Sequence, residues 1–303
     1  MTRVGTTQRF TERPLFKYPA FSVILDVLMD AVEMSFYLPN VAIVTGLPGV
    51  GKTALSHYVK EQINEKYGSQ LAHRVQLKSV NSETDIVIQA ASGLFEIPPK
   101  VSPAQKLDCF CSSFANQGHK VLIIDEAQHM LAQSNGKHNQ KYSDFIKVLA
   151  DADICVLLFG VEDAASLYTT ENYSMMVKGQ VESRGMALCK MPVLPNKLNE
   201  RDAEGERKLN PWKKVIEYYQ RYCKMPVVID LACDDILNKL YTVTKGNFRT
   251  LERIFTLCHV RYEQGKSDNL DENLLYYAVK RDVTRLDSQN PFSSKYKHAE
   301  LAS

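Results

Sequence analysis

Two short stretches of this 303-residue chain hold residue types that a reaction would need, at spacings that make sense only together. The first is Gly46-Leu47-Pro48-Gly49-Val50-Gly51-Lys52-Thr53, directly after the apolar run Val41-Ala42-Ile43-Val44. Glycines at these places let consecutive backbone N–H groups turn inward around phosphate oxygens, and a helix opening at Lys52 adds its positive end. Lys52 then supplies a point charge for the β- and γ-phosphates, and the Thr53 hydroxyl supplies a ligand for Mg²⁺. Strand, glycine loop and helix in this order, with GxxxxGK[ST] intact, predict a nucleoside triphosphate site built from Gly46, Pro48, Gly49, Val50, Gly51, Lys52 and Thr53.

The second stretch is Val121-Leu122-Ile123-Ile124-Asp125-Glu126, an apolar run that ends in two acids. Asp125 at a strand end is placed to hold Mg²⁺ through water, and Glu126 beside it to activate a water for attack on the γ-phosphate. The letters Asp125-Glu126-Ala127-Gln128 also spell a helicase-like box. Helicases of that class carry two tandem cores and a downstream arginine-rich motif; this sequence has one core and no such motif, which excludes them.

These residues must be held by alternating strands and helices. Phe21, Ile24, Leu25, Leu28, Met29 and Val32 keep a helical period before the first strand, and Leu55, Val59 and Ile63 keep one after the glycine loop. A second strand is expected over His73 to Ser79, a helix over Asp85 to Phe95 broken by Ile97-Pro98-Pro99-Lys100, and a helix over Pro103 to Gln117 closed by Gly118. After the acidic pair, Tyr142, Phe145, Ile146 and Leu149 share a helix face, and Ile154 to Phe159 is a continuous apolar strand stopped by Gly160. Near-continuous apolar strands between helices predict a parallel sheet covered on both faces. Beyond Pro195 the texture changes: Asn196 to Asn210 is a charged linker or exposed loop, followed by three or four helical patterns and no convincing strand. The expected boundaries are an arm over 1–20, a core over 21–195, a helical domain over 196–287 and a mobile polar tail over 288–303.

A formal net charge of +2 means that any nucleic-acid contact must come from a local patch. Seven scattered cysteines without a CxxC pair argue against a zinc site or a disulfide framework and for a reducing cytoplasm. No apolar run approaches membrane-spanning length, so a soluble protein without membrane contact is expected. The first twenty residues set Arg3, Arg9, Arg13 and Lys17 among Phe10, Phe16 and Tyr18. That reads as nucleic-acid contact, as docking on a partner, or as a loose terminus with a few packed aromatics.

The sequence resembles the AAA+ ATPases, and more narrowly the TnsC/TniB regulators of bacterial cut-and-paste transposons, over Phe16 to Gln264. The resemblance rests on GLPGVGKT, VLIIDEAQH, ICVLLFG, QVESR and KGNFRTLERIF. It implies an α/β fold: a P-loop core with a parallel five-stranded sheet and a small C-terminal helical lid, using ATP and Mg²⁺. It assigns Arg184 as an arginine finger offered to a neighbouring subunit and Arg249 as a lid arginine sensing the γ-phosphate, although the residues alone also read as surface arginines. It implies a homo-oligomer, ring or helical filament, formed on double-stranded DNA in the ATP state, with a transposase and target-selection proteins as partners. Candidate DNA contacts are Lys100 and Lys106 on one loop, and Lys137, His138 and Lys141 on the loop from Gln133 to Lys141. A solvated basic loop reads the same. One departure stands out. The strand after the acidic pair usually ends in a polar residue that positions the water, whereas here it ends Phe159-Gly160-Val161 and the nearest polar side chain is Glu162. This points to slow, switch-like hydrolysis or to another residue in that role. The sequence lacks an aromatic pore loop and a GAFTGA-like insertion, which excludes protein unfolding and activation of specialised transcription. Two rivals stay open: a helicase-loader or initiator-type ATPase, and a secretion or signalling ATPase that never meets DNA.

Overall fold

The computed structural model describes residues 14–68, 70–130, 137–162, 164, 187–197, 210–284 and 286–296, with backbone only at 137–141 and 143. The chain divides into two compact units: one is Pro19–Pro192, and the described part of the other joins residues 14–18 to those from Val193 onward.

The first unit is built on five parallel strands: β1 (Val41–Thr45), β2 (Ala72–Gln76), β3 (Val121–Asp125), β4 (Cys155–Phe159) and β5 (Ala187–Lys190), in the order β2-β3-β4-β1-β5. β1, β3 and β4 are buried at every position, which is why they are continuous apolar runs rather than alternating ones. Five helices belong to the described part of this unit: α1 (Pro19–Met34), α2 (Lys52–Tyr67), α3 (Glu83–Ala91), α4 (Pro103–Asn116) and α5 (Lys137–Asp151). Ile43, Ile124 and Leu158 share one buried cluster with Ile86 of α3, Phe110 and Phe114 of α4, and Phe145 and Leu149 of α5. The Phe110 and Phe114 rings stack at 5.2 Å, and truncating either to alanine should cost about 3–5 kcal/mol.

Local chemistry fixes the helix boundaries. Ser82 and Asp85 form a reciprocal cap that starts α3 two residues earlier than the apolar period suggests. Ser102 and Gln105 do the same for α4, with Pro103 in its first turn. Lys106 therefore sits in the first turn of α4, not on a loop, and only Lys100 keeps the turn position expected of both. Likewise α5 begins at Lys137, so Lys137, His138 and Lys141 lie on a helix whose polar first turn hides it from an apolar-period reading. The second strand ends at Gln76, three residues before the expected Ser79.

The second unit holds α6 (Pro211–Arg221), α7 (Asp234–Thr244), α8 (Phe248–Glu263) and α9 (Glu272–Asp282), with an isolated bridge between Val227 and Leu270. Trp212 is fully buried and its indole N–H donates to the Leu237 carbonyl at 3.1 Å. Asn247 caps α8 by accepting from the Arg249 and Thr250 amides at 3.0 and 3.3 Å. Residues 14–18 belong here: the Phe16 ring lies 5.3 Å from Tyr218, the Tyr18 ring 5.6 Å from Phe248, and the Tyr218 hydroxyl donates to the Pro14 carbonyl. Those two aromatics of the arm are thus spent within the molecule; residues 1–13 lie outside the described part. The expected mobile tail needs correction over 288–296. Asn290 is wholly buried, donates to the Tyr276 carbonyl at 2.9 Å and accepts from the Phe292 amide at 3.0 Å, and a buried amide satisfied on both sides anchors the segment.

Candidate nucleotide site

Parallel strands bring every β-to-α turn to one edge of the sheet. Register aligns Val44 and Asp125 with Phe159 on either side of β4, so the turns after β1 and β3 open side by side with the end of β4 between them.

The turn after β1 is held open by its backbone. Gly46, Gly49 and Gly51 have φ values of 153°, 85° and 104°, in a region that side chains rarely enter. At Gly46 a Cβ would also lie 2.5 Å from the Met191 carbonyl oxygen, so no other residue fits. Helix α2 starts at Lys52 without a side-chain cap, and its ladder begins with the Leu55 amide donating to the Gly51 carbonyl at 3.0 Å. Lys52 folds over the loop, its ammonium donating to the Gly46 and Leu47 carbonyls at 2.8 and 2.9 Å. Thr53 is exposed beside it.

The turn after β3 is held by side chains. Asp125, its side chain 2 % exposed, is paired with Arg74 of β2 at 2.6 Å, and the Arg74 side chain is itself only 9 % exposed. Arg74 Nε donates to Ser56 Oγ at 2.8 Å, and that hydroxyl lies 3.5 Å from the Asp125 carboxylate. The other carboxylate oxygen accepts the Glu126 amide at 3.0 Å. Glu126 adopts φ 59°, a left-handed conformation costing a non-glycine residue about 1 kcal/mol. Strain of this kind gathers where a side chain must be aimed. The kink leads into a short 3-10 turn, Ala127–Met130, closed by the His129 amide on the Glu126 carbonyl at 3.0 Å. From that turn Gln128 reaches back: its amide nitrogen donates to the Glu126 carboxylate and its amide oxygen accepts the Val161 N–H at 3.2 Å.

The structure therefore brings Gly46, Pro48, Gly49, Val50, Gly51, Lys52, Thr53, Asp125 and Glu126 to one edge of one sheet. Arg249 is exposed in the first turn of α8, in the other unit. Arg184 lies outside the described residues. Glu162, the nearest polar residue after β4, is engaged with Lys190 at 2.8 Å at the surface. Arg74 and Gln128 were not singled out by sequence reasoning. A signal existed for the first, since an arginine inside a strand of a covered sheet needs a counter-charge.

The oxygen donors suit a small hard cation. Mg²⁺ retains waters and takes phosphate oxygens, so one hydroxyl and one carboxylate are an adequate protein share. Arg74 already occupies Asp125 as a cation would. Among the described residues no cluster of three or more His, Cys, Asp or Glu side chains could hold a metal, and no helix is long and apolar enough to cross a membrane.

Residues 37–167 match a family model described as an AAA domain. Among solved structures, the chain is similar to Cdc6p from Pyrobaculum aerophilum at TM-score 0.64 and 15% identity, over 90% of this chain and 70% of that one. It is also similar to domain III of the Thermotoga maritima replication initiation protein DnaA, at TM-score 0.53 and 13% identity, over 93% of this chain and 99% of that one. At such identities the likeness is one of fold. No curated protein sequence matches. The parallel five-stranded sheet, its covering helices and the helical C-terminal region make up the AAA+ P-loop α/β fold, and residues 37–167 within it match the AAA domain.

Proposed function

We propose that this AAA domain serves an ATP-dependent regulator of DNA transposition, which assembles on duplex DNA in its ATP state and links target-selection proteins to a transposase. The observation that carries the nucleotide reading is the meeting, at one sheet edge, of a glycine cradle roofed by Lys52 with the carboxylates of Asp125 and Glu126. Lys52 and the N–H groups of residues 49–53 hold the phosphates. Thr53 and Asp125 hold Mg²⁺, which when bound neutralises charge building on the phosphate oxygens. Glu126 accepts the proton of the attacking water.

The narrower, transposition reading rests on the order of QVESR and KGNFRTLERIF after the core. In it Arg184 completes a neighbour's site, Arg249 senses the γ-phosphate, and DNA contact is non-specific, with Lys100, Lys106, Lys137 and Lys141 as candidates. The homo-oligomer, ring or filament, belongs to this reading, and a cytoplasmic location is supported by the seven scattered cysteines without a CxxC pair. A second reading, an initiator or helicase-loader ATPase, is supported by the fold shared with the whole of a replication initiation protein's domain III.

One experiment tests both. Purified protein is mixed with ATP, Mg²⁺ and random-sequence duplex, together with transposon ends and transposase, with a replicative helicase, with all of these, or with none. ATP-dependent sedimentation with the duplex and stimulated strand transfer are expected. Assembly without DNA dependence would remove the transposition reading, and stable capture of a replicative helicase in place of transposase would favour the initiator.

A further inference from the structure

The end of β4 is the place where a polar side chain would be expected, and here it has none of its own. Phe159 is fully buried. A Cβ on Gly160 would lie 2.5 Å from Ala164 Cβ and 3.2 Å from Gln128 Oε1, so the backbone there is too closely approached to carry a side chain. Glu162 is held at the surface by Lys190. What fills the place is the amide of Gln128, brought from the turn after β3 by the left-handed kink at Glu126.

We propose that Gln128 is the positioning residue of the Glu126 carboxylate, its amide tying that carboxylate to the end of β4. This rests on the reading of Glu126 as the water-activating base. The polarity of the tie is fixed by its neighbours. The Val161 N–H can only donate, so it must face the amide oxygen. The NH₂ group is then left for the Glu126 carboxylate, which when ionised can only accept. A carboxylate on a long, flexible side chain is thereby referenced to the strand lying between the two turns. The motif's fourth letter thus acquires a duty that neither a hydrophobic residue nor an acid could perform.

Two variants of nearly equal size separate positioning from space-filling. Gln128→Met removes both hydrogen bonds. Gln128→Glu keeps an acceptor for Val161 but turns the donor facing Glu126 into a second acceptor. Both should lower kcat roughly tenfold or more, with affinity for a fluorescent ATP analogue within about twofold of wild type. A filler role would leave Gln128→Met at the wild-type rate, and that result overturns the proposal. If the Gln128 variants fold poorly, Gly160→Ala with Ala164→Gly relieves the clash between those two residues while still crowding Gln128 Oε1, and the same loss of kcat is expected. A readout independent of hydrolysis uses nucleotide-free protein. The side-chain NH₂ signal of Gln128, assigned by its loss in Gln128→Met, should exchange its hydrogens roughly tenfold more slowly than exposed glutamine amides, and Glu126→Ala should abolish that protection. Fast exchange in the wild type overturns the tie. Slow exchange in a protein that fails to hydrolyse ATP would instead overturn the ATPase reading and leave the tie standing.

Discussion

The turn after β1 and the turn after β3 lie side by side and are built in opposite ways. In the first, positive-φ glycines shape the backbone and Lys52 bonds to carbonyls five and six residues before it. In the second, the carboxylates are fixed by contacts that cross the chain: Arg74 pairs with Asp125 across 51 positions, and Gln128, which holds Glu126, is anchored to Val161 across 33. A local cradle can be written in contiguous letters. A carboxylate network exists only once the sheet has set its strand order. The first turn should therefore fail outright when one letter changes, and the second should fail by degrees.

The largest effect is expected at the cradle. Lys52→Ala should lower ATP affinity by roughly a hundredfold or more, because the charge-assisted bonds to phosphate have no substitute, and assembly should go with it. Titration with a fluorescent nucleotide checks this, and near-normal binding would break the comparison at its stronger end. Next comes Glu126→Gln, which spares binding: turnover alone should drop roughly a hundredfold, trapping the ATP-bound assembly. Wild-type turnover in that variant would remove Glu126 from the chemistry.

Arg74→Met sharpens the contrast by removing a distant partner. It leaves Asp125 buried without its counter-charge, at a cost of about 3–5 kcal/mol in metal-free protein. Mg²⁺ with ATP should restore part of this in denaturant titrations; an unchanged midpoint would mean that Asp125 is held some other way. Removing charge at Lys100 or Lys106 is milder and should reduce the salt dependence of DNA binding by up to about one unit per lost phosphate contact.

The smallest effect serves as a control at the opposite end of β2. Burial first, then the neighbouring His119, lowers the His73 pKa to about 4. Since its folded-state value lies below the unfolded one, the neutral ring's contribution is complete above about pH 6.5 and is lost as pH falls towards 4. The loss should be about 1–2 kcal/mol after allowance for a partly exposed ring. It should be the same in Lys52→Ala and Glu126→Gln, and absent in His73→Phe, as read by melting temperature against pH.

How far each region was legible follows from the same contrast. The glycine loop and the acid-tipped strand could be read because their signals are contiguous, and the buried strands because each is a run of apolar letters. β5 was not among the strands expected from the apolar pattern: Ala187–Lys190 is four residues long and alternates between half-buried and exposed, so no apolar run marks it. The start of α6 was hard to place because Asn210-Pro211 reads as the end of a loop, when the asparagine is a cap and the proline opens a first turn. Gln128 was legible as a letter of a motif and not as a contact, because its partner Val161 becomes a neighbour only through sheet order.

The two-piece helical unit has a consequence for the order of events on the ribosome. Pro14 emerges from the exit tunnel 204 residues ahead of Tyr218, its hydrogen-bond partner. At about 5–20 residues per second, the aromatic pair Phe16 and Tyr18 waits roughly 10–40 s for the rings it packs against. During that interval every strand of the P-loop sheet has been made. Synthesis thus imposes a sequence: the sheet closes first, and the helical unit recovers its oldest residues last.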